Sequence, residues 1–381
     1  MAAVDPGEHP AADPGERPGA EPGQRPAAHP GERPGADLGE EPGAEPGQRP
    51  GAESGERPGA DLGERPGADP GGDPGQPPGA GGEGGQVGGG GGPGAVRLLT
   101  PPRVRELLAR HGLRPTRSLG QNYLADPNTA RKVVRLAGVE PGETVLEVGP
   151  GLGSLTLALR EAGAAVVAVE VDARLVPPLT EVLAGDQGVV VEVADALRAD
   201  LAALAPGARR LVANLPYNIA APLVLRVLAS YPQLASMTVM VQREVGERLA
   251  AAPGTAAYAG PSAKVAALAE ARVLAPVSRR VFIPEPHVDS VLVGIHRRGH
   301  PATEGLPWPA LARVIDAAFS QRRKTLRNSL RTLGLGPDAV AALGARAGVD
   351  LALRAERLGV EEFAALARTL EEPAGDRPRP A

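Results

Sequence analysis

Short apolar runs alternate with amphipathic stretches through the middle of the chain. From Thr144 to about Val293, each run is followed by a stretch with helical spacing. Parallel strands must be joined by a crossover, usually a helix, so this alternation predicts an α/β fold. The expected sheet is mainly parallel, with helices on both faces. The predicted strands cover residues 143–148, 164–169, 188–193, 211–213, 236–241 and 290–295, and the predicted helices include 154–162 and 242–251.

The last part of the chain has helical spacing only. After a polar, proline-containing stretch at 297–309, which we interpret as a linker, helical patterns continue to about Leu370. One helix is predicted near residues 311–333, with a single apolar stripe along it. The stripe consists of Ile315, Phe319, Leu326 and Leu330, flanked by Lys324, Arg327 and Arg331 on one side and by Arg322 on the other.

The first 96 residues follow neither pattern. Pro-Gly-Ala and Gly-Glu-Arg-Pro segments recur imperfectly, a glycine tract follows, and aromatic residues are absent. So little apolar surface cannot offset the entropy of ordering, so we expect a disordered, low-complexity arm. Collagen is excluded because glycine does not occur strictly at every third position. The predicted organisation is an arm at 1–96, an α/β domain at 97–298, a helical domain at 299–372 and a flexible tail at 373–381.

Charge separates the arm from the rest of the chain. Residues 1–96 carry 17 acidic side chains and 6 arginines, a net charge of −11, whereas the whole chain has −4. The remaining residues therefore carry +7. A basic folded part is expected of a protein that binds nucleic acid. An arginine-rich surface produced by biased codon usage is the alternative that composition leaves open.

A glycine-rich turn follows the first predicted strand. Gly149-Pro150-Gly151-Leu152-Gly153 lies between that strand and a helix from Ser154. Glycines there let the backbone approach a ligand at a helix N-terminus. The dinucleotide fingerprint G-x-G-x-x-G does not fit, because Ser154 and Thr156 stand where its third glycine is needed. The spacing E-x-G-x-G-x-G instead matches the cofactor loop of class I methyltransferases, so S-adenosylmethionine is the predicted cofactor.

Acidic residues end the next two predicted strands. Glu170 comes about 20 residues after the glycine turn, where a carboxylate can accept hydrogen bonds from both ribose hydroxyls. Asp195 follows the run 188–193 and is placed to accept a hydrogen bond from an adenine amino group. Singly, each is more often a solvated strand end or a helix cap. In register with the glycine turn and Asn214, they support the predicted cofactor site.

The strongest candidate for chemistry is the pentapeptide Asn214-Leu215-Pro216-Tyr217-Asn218, at the end of an apolar run. An exocyclic amino group is a poor nucleophile, because its lone pair is delocalised into the ring. The Asn214 side-chain oxygen and a backbone carbonyl beside Pro216 can accept its two hydrogens and hold the lone pair toward an electrophile. Tyr217 can stack on the base. A strand followed by a proline turn is the structural alternative for the pentapeptide alone.

Together, these motifs resemble those of the ribosomal RNA adenine N6,N6-dimethyltransferases, in particular the bacterial 16S enzyme of the small subunit. The resemblance covers roughly residues 98–370. This chain departs from it at Leu119 and Tyr123, where the family usually has Phe, and at Ala259, where it usually has Gly. The motifs that carry the resemblance are Leu119–Leu124, Glu147–Gly151, Asn214–Asn218, Val281–Pro284 with Val288–Ser290, and Phe319–Asn328.

The resemblance implies roles for individual residues. The target adenine would lie against Tyr217 and Phe282, with its amine held by Asn214 and the Leu215-Pro216 backbone, so the expected catalytic group is Asn214, Leu215, Pro216 and Tyr217. The expected cofactor contacts are Asn122, Leu124, Gly149, Glu170, Asp195 and Asn214. The expected RNA contacts are Arg322, Arg323, Lys324 and Arg327.

The resemblance also implies a class I methyltransferase fold with a small helical RNA-binding domain. The implied reaction is dimethylation of two adjacent adenosines in a hairpin loop near the 3′ end of 16S rRNA, in the small subunit. Two rival functions are open. A macrolide-resistance methyltransferase has the same fold and acts on large-subunit RNA, but residues 319–328 and the full pentapeptide favour the small-subunit enzyme. A non-catalytic assembly or transcription factor predicts loss of Asn214, Tyr217 or Glu170, and all three are present.

Residue types that are missing or scattered restrict the remaining possibilities. The chain has no cysteine, which excludes disulfides and thiolate metal sites, and its six histidines lack ligand spacing, so we expect no metal. No apolar run is long enough to span a membrane, and the amino terminus is acidic. We therefore expect a cytoplasmic protein without membrane contact, acting as a monomer.

Overall fold

The computed structural model describes residues 96–116, 120–299 and 305–372. The predicted arm, except Val96, and the predicted tail lie outside the described residues, as do Leu119 and part of the predicted linker. The strands are β1 (Tyr123–Leu124), β2 (Thr144–Val148), β3 (Ala165–Glu170), β4 (Val189–Val193), β5 (Arg210–Asn214), β6 (Ser236–Gln242), β7 (Ala269–Val277), β8 (Phe282–Ile283) and β9 (Ser290–Arg297).

The α-helices lie before, between and after these strands. They are α1 (Pro101–Arg110), α2 (Pro127–Ala137), α3 (Ser154–Glu161), α4 (Val176–Leu183), α5 (Leu201–Leu204), α6 (Ala220–Ser230), α7 (Arg243–Leu249), α8 (Gly260–Leu268), α9 (Trp308–Phe319), α10 (Leu326–Ser329), α11 (Pro337–Ala347) and α12 (Val360–Glu371). None of these helices is both long enough and apolar enough to cross a membrane.

A seven-stranded sheet forms the centre of the described residues, in the order β4-β3-β2-β5-β6-β9-β7. The first five strands of that order are parallel, and β9 runs antiparallel to both of its neighbours. This confirms the predicted mainly parallel sheet. From β2 the chain continues to β3 and β4 on one side and then returns to β5 on the other. A crevice is expected where the order reverses, at the carboxyl ends of β2 and β5.

Side chains of the central strands alternate between two apolar layers. On β5, Leu211 and Ala213 face one layer and Val212 faces the other. The alternation follows from the period of two along an extended strand. Helices α2 and α3 cover the layer that contains Val212, while α6, α7 and α8 cover the opposite layer. Both faces of the sheet are buried, which explains why its strands have continuous apolar runs in the sequence.

The helices after β9 pack into the apolar layer that α6, α7 and α8 cover. Helices α9 and α12 pack against each other and against α8, and buried residues of α9 and α12 join one apolar cluster with those of the sheet. The Phe319 ring lies 5.8 Å from the Tyr258 ring and 5.8 Å from the Phe363 ring, centroid to centroid. The Tyr258 hydroxyl donates to the Leu358 carbonyl at 3.0 Å. A domain boundary between residues 298 and 299 stays a prediction.

The single helix predicted over residues 311–333 is wrong. Helix α9 ends at Phe319, and α10 begins only at Leu326, after Thr325 in an extended conformation. The amides of Leu326 and Arg327 donate to the carbonyls of Leu353 and Leu351, at 2.8 and 3.1 Å, instead of continuing the helical ladder. Arg322, Arg323 and Lys324 therefore lie in the turn between two helices, and the predicted flanks of one stripe do not exist.

Candidate active site

A cleft opens at the carboxyl ends of the parallel strands, where the topology predicts a crevice. Every residue predicted from the sequence to contact cofactor, and each of Leu215, Pro216 and Tyr217, lines this cleft. The fold therefore brings together sites that are far apart in sequence. The lining is made by residues 120–124, 147–152, 154–155, 169–171, 175, 194–197 and 214–219.

The glycine turn after β2 needs its glycines. Gly149, Gly151 and Gly153 have φ angles of 72°, 59° and 91°, in the left-handed region that side chains disfavour. A Cβ on Gly151 would lie 3.2 Å from Tyr123 Cδ1, and one on Gly153 would lie 2.8 Å from Leu179 Cδ1. Bare backbone therefore lines this wall of the cleft, next to the N-terminus of α3. Such a cradle fits the charged methionine part and the ribose of S-adenosylmethionine.

Glu170, at the end of β3, holds that turn in place. Its Oε2 accepts from the Gly151 amide at 3.1 Å, and its Oε1 accepts from the Asp172 amide at 2.9 Å. Burial raises the pKa of the Glu170 carboxyl, and these backbone donors oppose the rise. The Val171 amide is a third backbone donor to this carboxyl, which still leaves one of its four lone pairs for a ribose hydroxyl.

Asp195, after β4, is more exposed than Glu170. Its Oδ1 accepts from the Leu197 amide at 2.9 Å, and its Oδ2 lies 3.5 Å from Arg198 Nε. The carboxylate thus caps the turn that follows the strand, as the structural alternative expected. Asp195 also lines the cleft, so capping this turn is compatible with the predicted contact to the cofactor.

The Asn214 side-chain amide has a defined orientation. Its Nδ2 donates to the backbone carbonyl of Asn122 at 3.1 Å. A carbonyl oxygen can only accept, so a flipped amide would bring two acceptors together. The contact therefore leaves Oδ1 as the acceptor for a donor in the cleft. The turn that follows packs on the glycine turn, because a Cβ on Gly149 would lie 3.7 Å from Pro216 Cδ.

Tyr217 is half-buried beside Asn214 and is anchored by its hydroxyl. That hydroxyl lies 3.1 Å from Oγ of Ser290, a fully buried residue at the start of β9. Burial raises the pKa of Tyr217, so the hydroxyl stays neutral at physiological pH. The sequence analysis gave Ser290 no role. The one signal for it was its place at the end of the Val288–Ser290 motif.

Phe282 is buried beside the strand that carries Leu124. It pairs with Leu124 in the two-stranded sheet of β1 and β8, and only 3% of its surface is exposed. Its neighbours are the apolar residues of the layer covered by α2 and α3, and it is not among the residues that line the cleft. Stacking of Phe282 on the target base stays a prediction.

Glu147 is a buried acid that the sequence analysis treated only as part of a motif. Its side chain is 1% exposed at the end of β2, and its Oε2 accepts from the Thr156 hydroxyl at 2.7 Å. Burial raises the pKa of Glu147 to about 8, so the carboxyl is mainly protonated at neutral pH. Thr156 had served only to exclude a dinucleotide fingerprint, and it is the hydrogen-bond donor to this acid.

Similarity to known proteins identifies the family. Residues 112–372 match the family described as ribosomal RNA adenine dimethylase. The chain belongs to this family. It is therefore an S-adenosylmethionine-dependent methyltransferase that dimethylates adenine N6 in ribosomal RNA.

Relatives in two bacteria are similar along almost their whole length. A protein of Leifsonia xyli subsp. xyli named "Ribosomal RNA small subunit methyltransferase A" is 48% identical over 278 residues, which cover 71% of this chain and 98% of the relative. A protein of the same name in Thermobifida fusca is 49% identical over 278 residues, covering 71% of this chain and 96% of the relative.

Solved structures show the same fold. A dimethyladenosine transferase from Plasmodium falciparum superposes with a TM-score of 0.55 at 22% identity, covering 64% of this chain and 95% of that one. The 23S rRNA methyltransferase ErmE superposes with a TM-score of 0.50 at 27% identity, covering 66% of this chain and 100% of that one. The class I methyltransferase fold predicted from the sequence is thereby confirmed.

Proposed function

We propose that this rRNA adenine dimethylase acts on 16S rRNA in the small ribosomal subunit, as a step in subunit biogenesis. The observation that carries the proposal is the name shared by relatives at 48% and 49% identity, whose lengths are covered almost completely. The target we propose is a pair of adjacent adenosines in a hairpin loop near the 3′ end. This detail comes from the resemblance of the motifs in residues 98–370.

The proposed chemistry places the target adenine beside Asn214. When bound, S-adenosylmethionine supplies an electrophilic sulfonium methyl group. Asn214 Oδ1 and a carbonyl of Leu215 or Pro216 accept the N6 hydrogens, and the Tyr217 ring covers one face of the base. The alkylated amine becomes acidic and loses its proton to solvent, so the chain needs no strong general base. The base must leave its stack to react, and the free energy of unstacking is smallest for an unpaired base in a loop.

The cofactor contacts we propose are Asn122, Leu124, Gly149, Glu170, Asp195 and Asn214. The support is that all six line one cleft with the glycine cradle, and that Glu170 retains a free lone pair. The described residues contain no group of three metal-ligating side chains, and a metal-free reaction remains our expectation.

A substrate comparison tests the proposal. The full-length protein is incubated with radiolabelled S-adenosylmethionine and with immature small or large subunits lacking the modification. Labelled N6,N6-dimethyladenosine in 16S rRNA, located by mass spectrometry of nuclease fragments, is the expected result. Label confined to 23S rRNA would identify the macrolide-resistance type of activity instead. Absence of label from both would favour a factor that has lost catalysis.

We further propose that the turn between α9 and α10, together with Arg327 in α10, contacts RNA phosphates. Arg322, Arg323, Lys324 and Arg327 are all exposed, and within the described residues none of the four forms an ion pair. Cationic side chains without acidic partners are available for phosphate, because no ion pair within the protein has to be broken before they bind it.

Neutralising this turn should weaken RNA binding and its salt dependence together. Changing Arg322, Arg323 and Lys324 to Ala should raise the Kd for small-subunit RNA roughly tenfold at physiological salt, with a shallower slope of log K against log salt by about two to three. Filter binding across salt concentrations measures both. The matched control is Arg346→Ala, which removes an exposed arginine already paired with Glu372. An unchanged slope in the triple variant contradicts the proposed contact.

Deleting residues 1–95 should change methylation less than twofold. The match to the family begins only at residue 112, and an acidic arm is repelled by RNA rather than attracted. Initial rates of the full chain and of the truncated chain on immature small subunits provide the measurement. A large loss of rate would assign a role to the arm. We also propose that the protein is cytoplasmic and acts as a monomer. Light scattering of the purified chain tests its oligomeric state.

A further inference from the structure

Residues Gly120–Leu124 form a strap between the acidic end of β3 and the turn Asn214–Asn218, the catalytic turn. Gly120 has a φ angle of 62°, and a Cβ on it would lie 3.3 Å from Asn218 Oδ1 and 3.4 Å from the Tyr217 amide nitrogen. The backbone of the strap thus packs directly on the catalytic turn. At the other end, the Leu124 carbonyl accepts from the Ser154 hydroxyl at the start of α3.

The Gln121 side chain fixes this strap through three hydrogen bonds. Its Oε1 accepts from the Thr116 amide at 2.9 Å and from the Tyr123 hydroxyl at 3.0 Å, and its Nε2 donates to Asp172 Oδ2 at 2.9 Å. The arginine at position 174 holds the pKa of Asp172 to about 2, so that carboxylate only accepts. A flipped Gln121 amide would lose bonds at both ends. The hydrogen bonds at Oε1 and at Nε2 therefore both fix the orientation of the Gln121 amide.

The next residue connects the strap to the chemistry. The Asn122 carbonyl accepts the Asn214 Nδ2 at 3.1 Å, and the Asn122 side chain donates to the Gly120 carbonyl at 3.1 Å. A continuous series of contacts thus runs from Asp172 through Gln121 and Asn122 to the amide of Asn214. Gln121 lines the cleft, yet its amide atoms are already occupied by protein partners.

We propose that Gln121 is a positioning residue for methyl transfer. By holding the strap, it keeps the Asn122 carbonyl against Asn214 Nδ2, and so keeps Asn214 Oδ1 directed at the adenine amine. This inference rests on the role proposed above for Asn214. Positioning errors of about 1 Å are enough to cost a reaction on the order of 100-fold, so a residue that touches no reacting atom can still control the rate.

The main test is Gln121→Leu, which keeps the side-chain volume and removes all three hydrogen bonds. We expect kcat for rRNA methylation to fall at least tenfold, while the Kd for S-adenosylmethionine and the Kd for RNA change less than threefold. The control is Gln187→Leu, whose exposed amide donates to the nearby Gly185 carbonyl at 2.9 Å, and which should leave turnover unchanged. An unchanged kcat for Gln121→Leu overturns the proposal. A loss confined to cofactor affinity overturns it as well.

A double-variant comparison separates positioning from general structural damage. Asn214→Asp has no side-chain N–H to donate to the Asn122 carbonyl, so the contact through which Gln121 acts is already lost in that variant. Adding Gln121→Leu to that variant should reduce kcat less than twofold further. If the two substitutions lower kcat independently, so that their effects multiply in the double variant, the proposal is overturned. If instead Asn214→Asp and Asn214→Ala both retain wild-type turnover, the proposed function of Asn214 fails first.

A spectroscopic measurement does not depend on residual activity. In protein labelled with ¹⁵N asparagine, the Asn214 side-chain NH₂ resonances are identified by their loss in Asn214→Asp. We expect them to shift or broaden in Gln121→Leu while most other asparagine resonances stay unchanged. Unperturbed Asn214 resonances overturn the proposal. Loss of dispersion across the spectrum would show unfolding. Gln121→Glu then replaces Gln121→Leu in all three measurements, because it keeps the acceptors while it removes the donor to Asp172 and adds a negative charge facing that carboxylate.

Discussion

Asn214→Ala is expected to lower the rate of rRNA adenine methylation by about 100- to 1,000-fold, the usual cost of removing one oriented group that stabilises charge in a transition state. As N6 attacks the methyl group, positive charge develops on the amine and its hydrogens become stronger donors. An oriented amide oxygen therefore gains more from the transition state than from the ground state, which is what lowers a barrier.

The same substitution should leave the protein folded. Asn214 is only partly buried, and the alanine variant loses a single side-chain hydrogen bond, to Asn122, worth about 1 kcal/mol. Binding of S-adenosylmethionine should stay measurable, because the glycine turn and Glu170 do not depend on this amide.

Single-turnover methylation with radiolabelled cofactor measures the loss, and calorimetry measures cofactor binding. The matched control is Asn128→Ala, an exposed asparagine in the first turn of α2, which should methylate at the wild-type rate. Asn214→Asp keeps an acceptor and loses the donor to Asn122, so it should fall between wild type and alanine. Wild-type turnover in Asn214→Ala would remove the central role proposed for this residue.

The fold and most of the cleft could be predicted because they depend on local patterns. Buried parallel strands need continuous apolar runs, and the turn after β2 needs glycine at positions with positive φ. Strand-end polar residues such as Glu170 and Asn214 necessarily meet at one edge of a parallel sheet, so their convergence follows from topology.

Contacts between distant segments could not be predicted in this way. Helix α9 ends at Phe319, and the amides of Leu326 and Arg327 donate to the carbonyls of Leu353 and Leu351, some 25 residues later. The spacing of apolar residues along the chain carries no information about such hydrogen bonds. The burial of Phe282 likewise depends on its pairing with Leu124 across the fold. The hydrogen bond from Gln121 to Asp172, which lies 51 residues later in the chain, follows the same rule.

Glu147 should make the stability of this protein depend on pH. The usual pKa of a glutamate is 4.5, and burial raises that of Glu147 to about 8 in the folded state. Between these values the folded state keeps a proton that the unfolded state has released. The free energy of unfolding must therefore decrease as pH rises through this range, and the penalty is complete only above the folded-state pKa.

Glu147→Gln should remove this dependence. Glutamine has the shape of the protonated acid and can still accept from the Thr156 hydroxyl, so the two proteins should be similarly stable near pH 4.5. Well above pH 8 the variant should be more stable, by on the order of 5 kcal/mol. Denaturant unfolding at several pH values gives the difference, in which contributions from other titrating groups cancel. Glu247→Gln, at an exposed position of α7, should follow the wild-type curve. Parallel curves for wild type and Glu147→Gln would mean that Glu147 is ionised in the fold, and its hydrogen bond from Thr156 would then be one to a buried carboxylate.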